Sequence, residues 1–256
     1  MAASVLLGIS LVLLLLAWEW FRPRDAGSMA PVPRSTSKSV LVGDADSAGK
    51  GADVPPDIDG FVEKVKGRYR AMHDRYVALE HKETCIAETL DSSGMPTNAV
   101  TTVERVWFEK EVERRLLLDS KDPNVDVALP PKSKIVYPFY REDVPGTYQY
   151  FWEGVEEVDG RPLVRLRFEP KPPLADKMSG YVWADPKTGQ PCKFDGLLAE
   201  TPALVDHFRM LAWYAPSENG DYQLRQMVTE GSGGFAFVRR RYRKSFEYSD
   251  YRLKSP

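Results

Sequence analysis

The residues of this 256-residue chain that could do chemistry are three histidines and one serine in a glycine-rich segment. His73, His81 and His207 stand far apart, without the HxxxH or HExxH spacing that places zinc ligands on one helix face. Ser232 lies in Gly-Ser-Gly-Gly, which lacks the GxSxG order of a nucleophile turn and favours a hairpin loop. No GxGxxG or GxxxxGK segment occurs to cradle a nucleotide. The sequence therefore predicts no catalytic residue, no metal site and no cofactor, and a protein that is not an enzyme.

The densest charge lies near the C-terminus, where Arg239, Arg240, Arg241, Arg243 and Lys244 are interleaved with aromatic residues. Such a run could contact nucleic acid or anionic lipid head groups. Successive side chains of a strand point to opposite faces, however, so the run would be divided between two surfaces. We interpret it first as a basic edge strand that resists aggregation, second as a lipid contact and last as a nucleic-acid contact. Because the net charge is -2, we expect no nucleic-acid partner.

Cys85 and Cys192 are the two cysteines of the chain, and neither belongs to a CxxC motif. In an oxidising compartment they could form a disulfide that closes a loop of about a hundred residues. They could also be two buried thiols that never meet, because sequence spacing does not establish the contact geometry. The sequence leaves both possibilities open.

The N-terminal segment predicts a membrane address. Residues 5–18 are apolar and uncharged, and residues 2–21 reach the roughly 20 residues that span a bilayer. Arg22 and Arg24 follow the segment and no basic residue precedes it, which taken literally puts the body in the cytoplasm. We favour export instead, with residues 1–21 as a signal or, preferably, an uncleaved inner-membrane anchor for a periplasmic body. Residues 22–56, rich in Pro, Ser, Gly and Ala, predict a flexible linker.

A single amphipathic helix is predicted over residues 57–78, with Asp59 as its N-cap. Apolar residues recur there at intervals of three and four, which is typical of one buried helical face. They are Phe61, Val65, Tyr69, Met72 and Tyr76.

After the helix the hydrophobic period changes to two, and about ten strands follow. Residues 180–196 predict a complete hairpin, in which Pro186 presets the turn and Gly189 supplies a positive φ. Asp159-Gly160 predicts a second hairpin, and residues 231–234 are interpreted as a third turn. A further strand is predicted over residues 135–140. The expected fold class is α+β, mainly β: an antiparallel up-and-down barrel or sandwich with one apolar and one polar face.

The chain resembles the LolA/LolB-like superfamily over roughly residues 58–253. The likeness depends on Tyr69 and Tyr76 of the helix, on Asp159-Gly160-Arg161, and on Trp-x-Asp-Pro-x-Thr-Gly-x-Pro at residues 183–191. The resemblance implies an incomplete antiparallel barrel over residues 57–256, with a helix and loops across its mouth and an apolar cavity that accepts acyl chains. It also implies kinship with RseB-related sensor domains.

The function expected from this resemblance is non-enzymatic binding of a lipid or of lipoprotein acyl chains by a membrane-tethered extracytoplasmic domain. The alternative is an envelope sensor or protein-interaction domain that binds a polypeptide partner with the same half-barrel. An enzyme built on a small barrel would need titratable groups that converge in the cavity. The expected cavity residues are apolar or aromatic residues of the strands, which could equally form an ordinary core: Tyr148, Tyr150, Trp152, Val164, Leu166, Phe168, Tyr181, Trp183, Phe194, Phe208 and Met210.

Overall fold

One helix and ten strands make up the part of the chain that the computed structural model describes, which is residues 57–109, 112–120, 146–172, 177–235 and 238–253. The N-terminal segment, the linker and the strand predicted at residues 135–140 lie outside these ranges. Among the described residues, no helix combines the length and the apolar composition needed to cross a bilayer.

Helix α1 spans Ile58–Ala78 and buries the face that the sequence predicts. Phe61, Val65, Tyr69 and Met72 are all buried, and Val65 has no exposed surface. The N-cap is Asp57 and not Asp59, because a carboxylate oxygen of Asp57 accepts a hydrogen bond from the Gly60 amide at 2.7 Å. The helix ends at Ala78, where the chain turns directly into the first strand.

The strands follow the helix as a continuous meander. In chain order they are β1 Leu79–Leu90, β2 Pro96–Glu109, β3 Val112–Ser120, β4 Tyr148–Val158, β5 Arg161–Pro170, β6 Met178–Ala184, β7 Pro191–Leu198, β8 Val205–Pro216, β9 Tyr222–Phe235 and β10 Val238–Leu253.

All ten strands form one antiparallel sheet in the order β3-β2-β1-β10-β9-β8-β7-β6-β5-β4. The sheet is not closed, because β3 and β4 stand at its two ends in this order. The expected incomplete antiparallel barrel with an N-terminal helix is confirmed. The interpretation of residues 239–244 as an edge strand is wrong, because β10 pairs with β1 on one side and with β9 on the other.

The hairpin turns behave as their residue types predict. Asp159 and Gly160 have φ values of 50° and 74°, as a two-residue hairpin turn requires. Gly189 has a φ of 67°, and its amide donates to the Asp185 carbonyl at 2.9 Å. Hydrogen bonds from Thr188 and Lys187 lower the pKa of the Asp185 carboxyl below its ordinary value, although partial burial alone would raise it.

The interpretation of residues 231–234 as a turn is wrong, because they lie inside β9. Glycine occupies position 231 because of close packing and not because of turn geometry. A Cβ on Gly231 would stand 2.0 Å from the Tyr242 hydroxyl oxygen. Gly231 and Tyr242 are directly opposed on neighbouring strands, so the glycine leaves room for the tyrosine ring.

No disulfide joins Cys85 and Cys192. Cys85 lies on β1 and Cys192 on β7, and strands β10, β9 and β8 stand between them. Burial raises the pKa of the Cys192 thiol.

Candidate ligand-binding surface

The face of the sheet that packs against α1 contains nine of the eleven expected cavity residues. Six of them are buried in one cluster with α1: Tyr148, Val164, Leu166, Phe168, Phe194 and Met210. The other three, Tyr150, Trp152 and Phe208, are partly buried and pack against this cluster. We call these nine residues the helix-side surface. It extends over β4, β5, β7 and β8, with Val182 and Ala184 of β6 completing it.

The pairing register explains how these residues come together. Leu166 is opposed by Trp152 on one side and by Val182 on the other. Directly opposed side chains lie on the same face of an antiparallel sheet. Arg165 and Arg167 alternate with this set and point to the opposite face, so the period of two sorts β5 into an apolar and a polar side.

Glycines allow the aromatic rings of this surface to meet. Phe168 is opposed by Gly180, which is opposed by Gly196, so the neighbouring strand offers no side chain at this level. The ring of Phe168 therefore stacks on that of Phe194, with centroids 5.4 Å apart and an interplanar angle of 17°.

Helix α1 covers the helix-side surface through side chains. The rings of Phe61 and Trp152 meet edge to face at 5.9 Å, and those of Tyr69 and Tyr214 at 5.6 Å. The buried Lys66 ammonium lies 4.8 Å from the Tyr150 ring centroid and 2.9 Å from a carboxylate oxygen of Glu63. The interface is thus mainly apolar, with one buried cation at the β4 end.

The β6–β7 hairpin holds the helix from the side. The Lys64 ammonium donates to the carbonyl of Lys187 at 3.2 Å, and the Arg68 guanidinium donates to that of Thr188 at 3.3 Å. Both bonds are exposed to solvent and involve flexible side chains, so each adds little to stability. The helix is therefore fastened to the sheet chiefly by apolar packing.

Trp152 places a polar atom within this interface. Its indole Nε1 is buried and has no hydrogen-bond partner among the described residues. A buried donor without an acceptor costs about 1 to 3 kcal/mol. The site therefore presents an N–H group, within an apolar surface, to any molecule that supplies an oxygen.

A cavity near the C-terminal half of α1, lined by Met72, Tyr76, Tyr214 and Leu224, has a volume of only about 10 Å³. That is about the volume that a single water molecule needs. An acyl chain could enter this interface only if α1 moved away from the sheet.

Tyr181 and Trp183 do not lie on the helix-side surface, so their expected place in the cavity is wrong. They flank Val182 and therefore point to the opposite face of β6. The Trp183 indole N–H donates to a carboxylate oxygen of Glu156 at 3.1 Å, and the Lys193 ammonium lies 4.4 Å from its ring centroid. Both rings are covered by basic side chains and not by the helix, since Arg165 lies over Tyr181.

Sequence reasoning missed a buried charge cluster at the other end of the same face. Glu83 of β1 and Glu104 of β2 are directly opposed and only 1% and 4% exposed. Arg115 of β3 contacts both carboxylates, with 2.7 Å between its Nη1 and Glu83 Oε1. Burial alone would lower the pKa of the Arg115 guanidinium, but the charge and hydrogen bonding of Glu83, assisted by Glu113 and Glu104, hold it well above its ordinary value. The available signal was a pair of glutamates at inward positions of strands that otherwise alternate.

The three histidines do not converge on one site. His81 is buried among aromatic rings, with centroids 4.7 Å from Tyr76 and 5.2 Å from Tyr251, whereas His73 lies on α1 and His207 is exposed on β8. Within the described ranges, no group of three or more histidines, cysteines or carboxylates is arranged to hold a metal ion.

Basic residues at alternate positions of β10 form individual contacts on one face of the sheet. Arg243 binds Glu88 at 2.7 Å, and Arg239 contacts Asp206. The Arg241 guanidinium donates to the Ser92 carbonyl at 3.1 Å, while Tyr242, one position on, points to the opposite face. Arg240 and Lys244 lie at the positions between these residues and point to the same face as Tyr242, so the predicted division of the basic run between two surfaces is confirmed.

Neither the protein-family models nor the curated proteins give a match to this chain. Solved structures do. A LolA superfamily protein from Nitrosomonas europaea aligns with a TM-score of 0.35 at 11% identity, over 77% of this chain and 93% of that one. A putative outer membrane lipoprotein-sorting protein domain from Vibrio parahaemolyticus aligns with a TM-score of 0.42 at 14% identity, over 77% and 92%. MucB of Pseudomonas aeruginosa, in its complex with MucA, aligns with a TM-score of 0.23 at 13% identity, over 77% and 99%. The matched structures thus include a protein of the LolA superfamily, which is the group that the sequence resembles.

Proposed function

We propose that this domain binds an acyl chain of a lipid or lipoprotein between α1 and the helix-side surface, without covalent chemistry. The observation that supports the proposal is the buried indole N–H of Trp152, which has no acceptor among the described residues and lies within an apolar, aromatic surface. An ester, amide or carboxyl oxygen at the head of an acyl chain would accept that hydrogen bond. We further propose that this activity belongs to an extracytoplasmic compartment beside the inner membrane, as expected if residues 2–21 act as the membrane anchor that the sequence predicts.

Binding requires α1 to separate from the sheet, because side chains of α1 and of the helix-side surface are buried against each other in one cluster. Apolar contacts are non-directional, so an acyl chain can replace the side chains of α1 on the sheet at a small net cost. The polar contacts to the β6–β7 hairpin are few and exposed, and they can break and re-form in water.

The first experiment measures saturable uptake of radiolabelled palmitate and of an N-palmitoylated peptide by the delipidated full-length chain. We expect Trp152→Phe, which keeps the ring and removes the N–H group, to weaken binding by roughly 2- to 10-fold, the value of one hydrogen bond. Trp213→Phe is the matched control, since Trp213 is opposed to Lys193 on the other face. The absence of saturable uptake by the unmodified chain would refute the proposal.

A second experiment tests whether the helix must move. A Cβ placed on Gly189 would lie 3.3 Å from the Cβ of Lys64, close to the separation of about 3.8 Å in disulfides. Lys64→Cys/Gly189→Cys in a Cys85→Ala/Cys192→Ala background should therefore form a disulfide between α1 and the hairpin. The φ of 67° at residue 189 adds a cost of about 1 to 2 kcal/mol, which the chain should tolerate.

We expect the oxidised form of this variant to take up little or no palmitate and the reduced form to recover uptake. The same molecule thus serves as its own control. Equal uptake in both forms would show that ligand binds without displacement of α1 from the hairpin.

A second candidate function is capture of a polypeptide by strand addition. Among the described residues, β3 and β4 stand at the two ends of the sheet, each paired on one side. An end strand offers backbone groups to an extended peptide. This function predicts a partner that still binds the Trp152→Ala variant and that slows amide hydrogen exchange in β3 or β4.

A further inference from the structure

A second concave site lies at the other end of the sheet, away from the helix-side surface. It is a cleft of about 310 Å³ whose lining includes Glu80, Lys82, Arg105, Leu118, Asp250 and Arg252. This volume lies at the lower end of the range of about 300 to 1,000 Å³ for small-molecule sites. We call it the basic cleft.

Two strand irregularities shape the basic cleft. The β1–β10 register shifts between Glu80 and Lys82, and Asp250 of β10 has a φ of 53° within this shift. The β2–β3 register shifts between Val103 and Glu104, which leaves Leu118 outside the regular pairing. Bulges of this kind redirect side chains and occur preferentially beside functional sites.

Two positively charged side chains face each other in the cleft. Lys82 and Arg105 are directly opposed on β1 and β2, so their Cβ atoms are about 4.5 to 5.5 Å apart. Neither forms an ion pair with another described residue, whereas Arg252 is already paired with Glu80. Asp250 adds one carboxylate, which leaves the lining with a net positive charge. Opposed like charges destabilise a sheet unless an anion lies between them.

Apolar surface adjoins these two cations. Leu116 is directly opposed to Arg105 and is 48% exposed, and Leu118 in the cleft lining is 44% exposed. The cleft therefore combines paired cations with an apolar wall, which suits a phosphate group joined to an apolar or glycerol portion.

We propose that the basic cleft binds a phosphate ester, with Lys82 and Arg105 as its two cationic contacts. The phosphate could belong to the head group of a phospholipid or to a free phosphorylated molecule, and both present the same chemistry to the cleft. The inference does not depend on the proposed acyl-chain site, because the two sites share no residue.

The test uses calorimetric titration of the full-length chain in a neutral detergent with two probes. Glycerol 3-phosphate represents a free phosphate ester, and dihexanoylphosphatidylglycerol below its micellar concentration represents a lipid head group. We expect at least one probe to bind with saturation and with an affinity that falls as salt rises. Binding of the lipid alone would assign the site to a head group, and binding of glycerol 3-phosphate would assign it to a free ester.

The decisive variant is Lys82→Gln/Arg105→Gln. At about fivefold per basic side chain, it should weaken binding about 25-fold, and Lys82→Gln alone about fivefold. The matched control, Lys187→Gln/Arg225→Gln, removes one lysine and one arginine that are exposed outside the cleft and should change affinity less than twofold. Without probe, the cleft variant should melt at the same or a higher temperature than the unmodified chain, because two opposed like charges are gone.

Failure of both probes to saturate, or an equal loss of affinity in the cleft variant and the control, would overturn the assignment. Neither result would affect palmitate uptake, so failure here is separable from failure of the acyl-chain proposal.

Discussion

The same face of one sheet is apolar at one end and charged at the other. Under α1, residues such as Leu166 and Phe168 are completely buried and belong to one hydrophobic cluster with the helix. At the far end Glu83 and Glu104 are almost as deeply buried, but they are held by Arg115. Apolar contacts have no required direction, whereas a buried carboxylate needs its partner in a fixed position. At the apolar end, other apolar groups could therefore replace the side chains of α1 on the sheet. At the charged end, the contacts of Arg115 fix how β1, β2 and β3 align.

Arg115→Met should have the largest effect, because it removes the guanidinium that contacts both of the opposed, buried carboxylates. We expect a loss of about 3 to 5 kcal/mol in the free energy of unfolding, measured by urea denaturation. Arg114→Met is the matched control: Arg114 is the exposed neighbour and has one ion pair, with Glu109, so its loss should cost less than about 1 kcal/mol. Similar losses for the two variants would mean that the buried Arg115 contributes no more to stability than an exposed arginine.

Leu166→Ala tests the apolar end. Leu166 has no exposed surface and lies between Trp152 and Val182, so its truncation should leave a cavity and cost about 2 to 5 kcal/mol. Leu197→Ala, at a leucine that is 41% exposed on β7, should cost less than about 1 kcal/mol. Thermal or urea denaturation checks both values, and a small loss at Leu166 would mean that α1 is not packed on the sheet.

Tyr242 lies between the two ends, on β10, and tests whether the middle of this face is dry. Burial raises the pKa of its hydroxyl to about 12. A folded-state pKa above the unfolded value of about 10 means that the contribution to stability is complete below pH 10 and is lost as pH rises through 12. We expect the chain to lose up to roughly 2 to 3 kcal/mol relative to Tyr242→Phe over this interval. Parallel stability curves for the two proteins would show that the hydroxyl is solvated.

Local features of the sequence predicted the elements and much of the candidate site. The alternation of Val164, Leu166 and Phe168 with Arg165 and Arg167 assigns the two faces of β5 without any tertiary information. The turn chemistry of residues 159–160 and 185–189 located two hairpins, because only a few residue types adopt positive φ or preset a turn.

Long-range relations could not be predicted in this way. The last described strand, β10, pairs with the first, β1, and no local pattern encodes a pairing between strands so far apart in the sequence. Tyr181, Val182 and Trp183 are all apolar, so alternation does not reveal which of them faces the helix. The glycines of β9 were mistaken for a turn because their role is to admit the side chain of a partner strand, which becomes visible only once the register is known.

The smallest expected effects are those of replacing two tryptophans that lie on opposite faces of the sheet. Trp152 buries its N–H group without an acceptor among the described residues, whereas Trp183 donates to Glu156 at 3.1 Å. Replacement of each by Phe should therefore have opposite signs in the ligand-free protein. We expect Trp152→Phe to raise the free energy of unfolding by about 1 kcal/mol and Trp183→Phe to lower it by about the same amount.

Urea denaturation of the delipidated chain and its two variants measures this difference directly. A gain in stability at Trp152 together with weaker palmitate binding would mean that the indole N–H destabilises the empty protein and is retained for a ligand, as at other sites where function conflicts with stability. A loss of stability at Trp152 equal to that at Trp183 would contradict this. The N–H group would then already be satisfied in the folded protein, and the main support for the acyl-chain site would disappear.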